Sequence, residues 1–523
     1  MFVFLCYNVQ SEEEVLKKIG VLELNTTIAR MVLADIADDE TFVIIDREQA
    51  ELQIASEIAK NEMITPESTA KLSSILKSFR AKCLACGVTE TYAVANDEFA
   101  IAKNQTSFFD EIYSQSGFKF SILTAEEFEN DLYLSFINSL DCPKGLIVSI
   151  DGTTTKILAY NRRNIVNRIE VAVGGVSLAD KYAEKGLTQE KAMEQIAKEF
   201  ASKLKKIDWF DGLDSETQIV GTGETFLSLA RLSRKLKQYR YLREHAYQMT
   251  AEDFQKVFEF IKTLDIDKTK RLKGVSHQRA DVLASSLSIL NVIVEASGIK
   301  KLIVSENGVA ESLIFSRANP ATLEKPITDV LGYSLDCINQ HYNNSNIKNT
   351  KNVYNLSVVL YRQLKVLHKL PRNYAKVLRI ASYMHDSGLR ISATNFERKG
   401  FSVVLDSDIY GVAHHEQVLA GFVVACQHLD DFNMTDWVSY SSILNDNDLE
   451  AVRKLAVIVR LANMLDAYGS GKVKDISCDI LGDSVIMKTI VAENSTPAEQ
   501  EIKEAMTVAK DFAKAFKKHL EVL

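Results

Sequence analysis

Basic residues are in short supply: 62 Lys and Arg face 70 Asp and Glu over 523 residues, a net charge of −8, with a pI near 5.8. No overall positive field gathers nucleic acid, so a polyanionic ligand has to be met by a local basic patch. Membrane segments are missing from the reading as well. The apolar start Met1 to Cys6 has no positive leader, is too short to span a bilayer and runs into Ser11-Glu12-Glu13-Glu14. Neither signal peptide nor anchor is expected, and the expected location is cytoplasmic, with no membrane partner. Seven cysteines, an odd number, fit reduced thiols better than a disulfide framework. Cys83 and Cys86 share a two-residue gap, but no second Cys or His pair lies near enough to complete a zinc site, which leaves them as core thiols. Prolines number only six. Two of them, Pro320 and Pro326, fall close together and mark a break in the chain.

What is present describes a globular protein. With 46% hydrophobic and 25% charged residues, the chain is long enough for about three domains with full cores. Residues 20–140 alternate strands and helices: strands at Val21 to Leu24, Met31 to Ile36 and Tyr92 to Ala95, a helix over Lys71 to Ala85, and a helix from Glu126 to Asn138 capped by Thr124. The alternation restarts at 141 and runs to 319, with helices at Gln189 to Leu204 and Ala280 to Ser297. Residues 320–523 read as amphipathic helices, the last over 497–519. The expected division is an extension (1–19), two α/β lobes (20–140 and 141–319) and a helical domain (320–523).

The organising motif is a strand, a tight turn and a strand over Gly145 to Tyr160, with Asp151-Gly152-Thr153-Thr154-Thr155-Lys156 at its turn. Gly152 permits a close backbone approach and the threonines offer hydroxyls and amides, a combination that can cradle a phosphate. Asp-Gly followed by Thr is also an ordinary hairpin. An echo favours the first reading: Val21 to Leu33 repeats the outline with Asn25-Thr26-Thr27 at the turn, and Arg30 falls on Lys156, 126 residues later (156 − 30). Two related lobes, each giving one loop to a shared cleft, are therefore expected. Gly221-Thr222-Gly223, after a buried strand, suits a ligand at the carboxyl end of a sheet. For Arg279 and Asp281, a helix-start ion pair and a ligand role are balanced.

Together, Val21 to Leu33, Tyr92 to Asn104, Ile122 to Leu132, Leu146 to Tyr160, Val171 to Leu178, Val220 to Phe226, Gln278 to Asp281 and Val304 to Leu313 resemble, in order and spacing, the exopolyphosphatase and guanosine pentaphosphate phosphatase family. Leu367 to Pro371, Met384 to Gly388 and Leu461 to Asp466 resemble the HD-type helical domain of its longer members. The resemblance implies an α/β protein with a two-lobed, actin-like ATPase fold followed by an all-α HD-like domain, and a homodimer. It also implies Mg²⁺-dependent hydrolysis of the terminal phosphoanhydride of polyphosphate or pppGpp. Glu127 becomes the carboxylate that positions or deprotonates the attacking water, with Glu126 its rival. Glu23 and Asp151 become metal ligands. Phosphate contacts fall to Thr26, Thr27, Arg30, Gly152, Thr153, Thr154, Lys156, Gly221, Thr222, Gly223 and Arg279. Read without the resemblance, Glu126 and Glu127 are a solvated acidic helix start.

The chain departs from the family pattern where phosphate is gripped. Glu23 to Ile28 stands where Asp-Leu-Gly-Ser-Asn-Ser is expected, and Ser149 to Lys156 where Asp-Ile-Gly-Gly-Gly-Ser-Thr-Glu is expected, so glycines give way to side chains. Ala100, Ser177 and Ala310 replace arginines, Asn96-Asp97 replaces Thr-Ser, and Phe128 replaces a second glutamate. Three lost cations weaken the grip on a long polyanion. In the tail only His385 and Asp386 of the HD metal set remain, with Asn352 and Asn463 at the outer positions. A dimerisation or ligand-groove module is expected there instead, with His414 and His415 structural. Two functions stay open: the hydrolase, or a catalytically weakened relative that binds nucleotide or a guanosine tetraphosphate-type alarmone and acts as a regulator. An actin-like sugar kinase or chaperone ATPase is a more distant third.

Overall fold

The computed structural model describes residues 16–161, 163–204, 207–276, 280–342, 347–429, 432–491 and 496–523. They divide into two compact units. The first comprises the described residues up to Asn138, Cys142–Leu229 and Met249–Ile327; the second comprises Ser139–Asp141, Ala230–Gln248 and Thr328–Leu523.

Two sheets of one design are present, both built chiefly from residues of the first unit. Strands β1 (Lys17–Leu24), β2 (Ile28–Ile36) and β3 (Phe42–Glu51) form an antiparallel meander. Strands β4 (Glu90–Ala95) and β5 (Phe120–Ile122) then add in parallel, giving the order β3-β2-β1-β4-β5. The second sheet repeats the meander with β6 (Lys144–Ile150), β7 (Thr155–Asn161) and β8 (Asn164–Val171). It extends on the other side of β6 through β9 (Gln218–Gly221), β10 (Tyr247–Thr250) and β11 (Lys301–Val304), in the order β10-β11-β9-β6-β7-β8. The central strands are apolar almost without alternation, as in Val21-Leu22, because the sheet is covered on both faces.

Helices start where their caps predict. Thr65 accepts from the Ser68 amide, with Pro66 at the first helical position, to open Pro66–Ala85. Thr124 opens Ala125–Ile137. A helix not read from the sequence, Ile54–Asn61, follows β3. It joins the lobes through a small buried cluster of Ala55, Val176 and Val282. Val282 belongs to Ala280–Ser297, which by length and composition could cross a membrane at a mean hydropathy of 1.4; 72% of it is buried in this unit, as suits a core helix.

The second unit packs helices that include Ile347–Gln363, Tyr374–Met384, His414–Ala425 and Asp446–Met464 around one core containing Leu356, Val377, Val423 and Leu455. It also holds a three-stranded sheet, β12 (Val473–Leu481), β13 (Ser484–Val491) and β14 (His519–Val522), which the all-α expectation lacked. The stretch 497–519, read as one helix, folds as Glu499–Met506 and Ala509–Phe516, and Lys517 at φ 56° turns the chain into β14. Alternate residues Val485 and Met487 face the core.

Candidate functional site

The two hairpins superpose in register. In the first, Leu24 pairs with Ala29 and Glu23 with Arg30. In the second, Ile150 pairs with Thr155 and Ser149 with Lys156. The same bond closes each turn: Asn25 N–H to Ile28 O at 3.0 Å, and Asp151 N–H to Thr154 O at 2.9 Å. Thr26 thus occupies the place of Gly152, and Arg30 that of Lys156.

Both turns converge on one carboxylate, that of Glu98. It lies in the short 3-10 turn Asp97–Ile101 at the carboxyl end of β4, and only 1% of the residue is exposed. One oxygen accepts from the Thr153 amide and hydroxyl, both at 2.6 Å, and from the Thr154 amide at 3.2 Å. The other accepts from the Thr26 hydroxyl and from Asn96 Nδ2 at 3.4 Å. Gly152 makes the approach possible: a methyl in place of its hydrogen would lie 2.5 Å from Ala55 Cβ and 2.8 Å from Thr26 Oγ1. Behind the turn, Val176 and Ser177 amides donate to Gly152 O at 3.1 and 3.0 Å and fix it on the helix Gly175–Ala183.

Lys156 is buried beside this cradle. Its Nζ lies 3.0 Å from Asp97 Oδ1, 3.2 Å from Thr154 Oγ1, 3.7 Å from Asp151 Oδ2 and 3.8 Å from Glu170 Oε2. The Phe128 ring, at the position of the expected second glutamate, sits 5.2 Å away. Burial on its own would lower the Lys156 pKa, but the carboxylates of Asp151, Asp97 and Glu170 raise it on balance. The partner Asp151 is pushed up to about 7, first by burial and then by Glu98 and Asp97, against the pull of Lys156. Its Oδ1 accepts from Ser149 at 3.1 Å, and its Oδ2 has no hydrogen-bond partner among the described residues.

Arg30 belongs to a second group. It forks onto Glu311 at 2.9 and 2.5 Å and donates to Glu306 O at 3.0 Å; Arg47 approaches the same carboxylate at 3.4 Å. Glu23 accepts from the Ala310 amide at 3.1 Å and lies 3.8 Å from Arg30. Burial raises its pKa, with Arg30 lowering it and Glu311 raising it. Glu127 is exposed and closes the helix cap: the Thr124 amide and hydroxyl donate to its Oε2 at 2.8 and 2.9 Å, and these bonds hold its pKa low. Glu126 is exposed and 3.4 Å from Arg168. One turn beyond Glu127, the carboxyl of Asp131 is pushed up to about 6 by burial, against a hydrogen bond from Ser312 at 2.9 Å, with Glu127 adding to the rise.

Of the expected phosphate residues, the structure gathers Thr26, Gly152, Thr153, Thr154 and Lys156 around Glu98 and Asp97. Thr27 lines a neighbouring cleft of about 650 Å³ whose wall includes Glu51, Glu57, Glu67, Lys71 and Asp281. Gly221 ends β9, and Gly223 takes φ 81° at the start of Gly223–Leu236, with Thr222 between them. Arg279 lies outside the described residues. In the second unit His385 is 1% exposed, its Nδ1 2.8 Å from Ser382 O. His414 Nε2 is 2.8 Å from His245 O, and His415 pairs with buried Asp448 at 2.9 Å.

Asp97, Glu98 and Asp131 are the residues that reading the sequence missed. The one available signal was an Asn-Asp-Glu run directly after a parallel strand, at the end of a sheet where ligands collect.

The Ppx/GppA phosphatase family model matches residues 32–320, and the model of that family's domain III matches residues 334–499. A bifunctional 3-dehydroquinate synthase/phosphatase of Fusobacterium nucleatum is 20% identical over 302 residues, 55% of this chain. The chain spans 44% of that curated relative's length. A solved Ppx/GppA family member from Aquifex aeolicus has 20% identity and a TM-score of 0.49, covering 58% of this chain and 97% of its own. A solved exopolyphosphatase from Cytophaga hutchinsonii has 16% identity and a TM-score of 0.53, covering 58% and 98% respectively, which is a likeness of fold. Because the phosphatase model alone runs over more than half of the 523 residues, the chain belongs to the Ppx/GppA phosphatase family.

Proposed function

We propose that the protein releases the terminal phosphate of a guanosine pentaphosphate-like nucleotide at the two-turn cradle. The observation that carries this reading is the convergence of Thr26, Thr153 and Thr154 on one buried anion: two hydroxyls and two amides gathered on the two oxygens of one group suit a phosphoryl group as they suit a carboxylate. The cleft beside Thr27 is lined by four acidic residues, Glu51, Glu57, Glu67 and Asp281, and by Lys71. Such a wall disfavours a polyanion laid along its length and offers acceptors to the hydroxyl and N–H groups of a nucleoside. Mg²⁺ binds through one or two carboxylates plus substrate phosphates, and Asp151 Oδ2, which accepts no hydrogen bond among the described residues and lies 3.7 Å from Lys156, fits that role; Glu23 is already engaged by Ala310. When bound, the metal would offset charge on the phosphates. Glu127, fixed by Thr124, is the proposed water-orienting carboxylate.

The test is phosphate release by the full chain with Mg²⁺, comparing pppGpp with polyphosphate. Faster release from pppGpp, reduced about 10²-fold or more in Glu127→Gln, is expected; no release above that variant from either substrate would refute the reading. The second reading is a regulatory nucleotide binder, and it rests on the capture of Arg30 by Glu311 and of Lys156 by Asp97. Calorimetric binding of ppGpp without turnover of pppGpp would establish it.

A further inference from the structure

The cradle already holds an anion, and it is part of the chain. Glu98 fills it with a carboxylate whose hydrogen-bond partners are all neutral: the hydroxyls of Thr26 and Thr153, the amides of Thr153 and Thr154, and Asn96. A buried charge persists only where donors replace its hydration, and these donors do so. A phosphoryl oxygen would need the same hydroxyls and amides. The turn has no spare room either, since Gly152 backs directly onto Ala55 and Thr26. Carboxylate and phosphoryl group therefore exclude one another.

We infer that Glu98 is the specificity-determining residue of this site, an internal carboxylate that any phosphoryl ligand has to displace. The inference rests on reading the cradle as the phosphoryl site. Glu98 stands in a short turn at the end of β4, so rotation of its side chain vacates the cradle without unfolding an element. Apparent affinity falls by the fraction of time the site is vacant: a cradle open about 1–10% of the time binds roughly ten- to a hundredfold more weakly than an empty one. A ligand that brings Mg²⁺ or a second contact in the cleft overcomes this more readily than a lone phosphate, which makes Glu98 a filter against small anions.

Full-length protein, Glu98→Ala and Glu98→Gln are titrated with pyrophosphate by calorimetry, and melted with and without acetate. Glu98→Ala should bind pyrophosphate roughly tenfold or more tightly than the parent. Acetate, restoring the missing carboxylate, should raise the melting temperature of Glu98→Ala but not of the parent, and should compete with pyrophosphate. Glu98→Gln, which keeps the shape and loses the charge, should fall between. A folded Glu98→Ala with parental affinity and no acetate effect overturns the inference; if that variant does not fold, parental affinity in Glu98→Gln overturns it. Binding is the readout throughout, so absence of turnover in the parent protein refutes the proposed activity while leaving these outcomes to decide the role of Glu98.

Discussion

Asp131 shows how a single half-buried carboxyl ties the site to stability. Its pKa is raised to about 6 in the folded protein from an ordinary 3.8, so between these values the native state binds more protons than the unfolded chain. Stability must then fall as pH rises from 4 to 6, and above 6 the charged form is carried at a cost of up to about 3 kcal/mol. Asp131→Asn keeps an acceptor for Ser312 and removes the charge. At pH 8 it should unfold at higher denaturant, a gain of about 1–3 kcal/mol, with no gain at pH 4. Urea titrations at the two pH values check this, and an equal effect at both would contradict the assigned shift. This residue was illegible in the sequence for the same reason as Glu98: acids in a helix or turn read as solvated charge. Their partners lie far along the chain, Ser312 for Asp131, and Thr26 and Thr153 for Glu98. The threonines and Lys156 were legible because turn chemistry is local.

At the scale of elements, the hairpin is the unit that repeats, and Gly152 is its least replaceable residue. An alanine there places a methyl 2.5 Å from Ala55 Cβ, on the short helix that joins the lobes. Neither a backbone-proximal methyl nor the turn has a flexible end to swing away, so the second turn must retreat from the first. Gly152→Ala should lose about 1–3 kcal/mol of stability and weaken pyrophosphate binding even in the Glu98→Ala background, because the Thr153 and Thr154 amides withdraw with the turn. Thermal denaturation and calorimetry of the double variant check both effects; an unchanged melting temperature would mean that the turns do not touch as described. The hairpins, Thr124 cap and helices at Gln189–Leu204 and Ala280–Ser297 could be read in advance, since pattern and caps are local properties. The sheet β12-β13-β14 could not. Its last strand follows two short helices that, on periodicity alone, continue as one.

On the scale of the whole chain, the second unit is not a tail. Besides Thr328–Leu523 it draws on Ala230–Gln248, a segment the sequence places inside a lobe because its first residues continue the helix Gly223–Leu236 without a break. Its aromatic rings lie against residues 164 to 175 positions later. Tyr241 Oη donates to Leu405 O at 2.7 Å, Tyr247 is fully buried, and the Tyr241 and His414 rings lie 4.6 Å apart. Burial pushes the His414 imidazole down to about 3, so it stays neutral in the folded unit. The unfolded chain takes up that proton below about 6.5, and this unit should lose stability as pH falls from there. A chain cut after Ile327 keeps Tyr239, Tyr241 and Tyr247 but deletes Leu405, which accepts from Tyr241, and His414, whose ring lies against all three. Each aromatic side chain buries roughly 150–250 Å², so at about 25 cal/mol per Å² losing part of that cover at the three rings costs on the order of 5 kcal/mol, a large share of the stability of a typical domain. The 1–327 fragment is therefore expected to aggregate, or to bind hydrophobic dye and unfold without a cooperative transition, although both lobes are complete. Scanning calorimetry of the fragment beside the full chain decides it: a soluble 1–327 fragment that melts cooperatively at the temperature of the full-length protein would show that Ala230–Gln248 does not depend on the residues beyond 327.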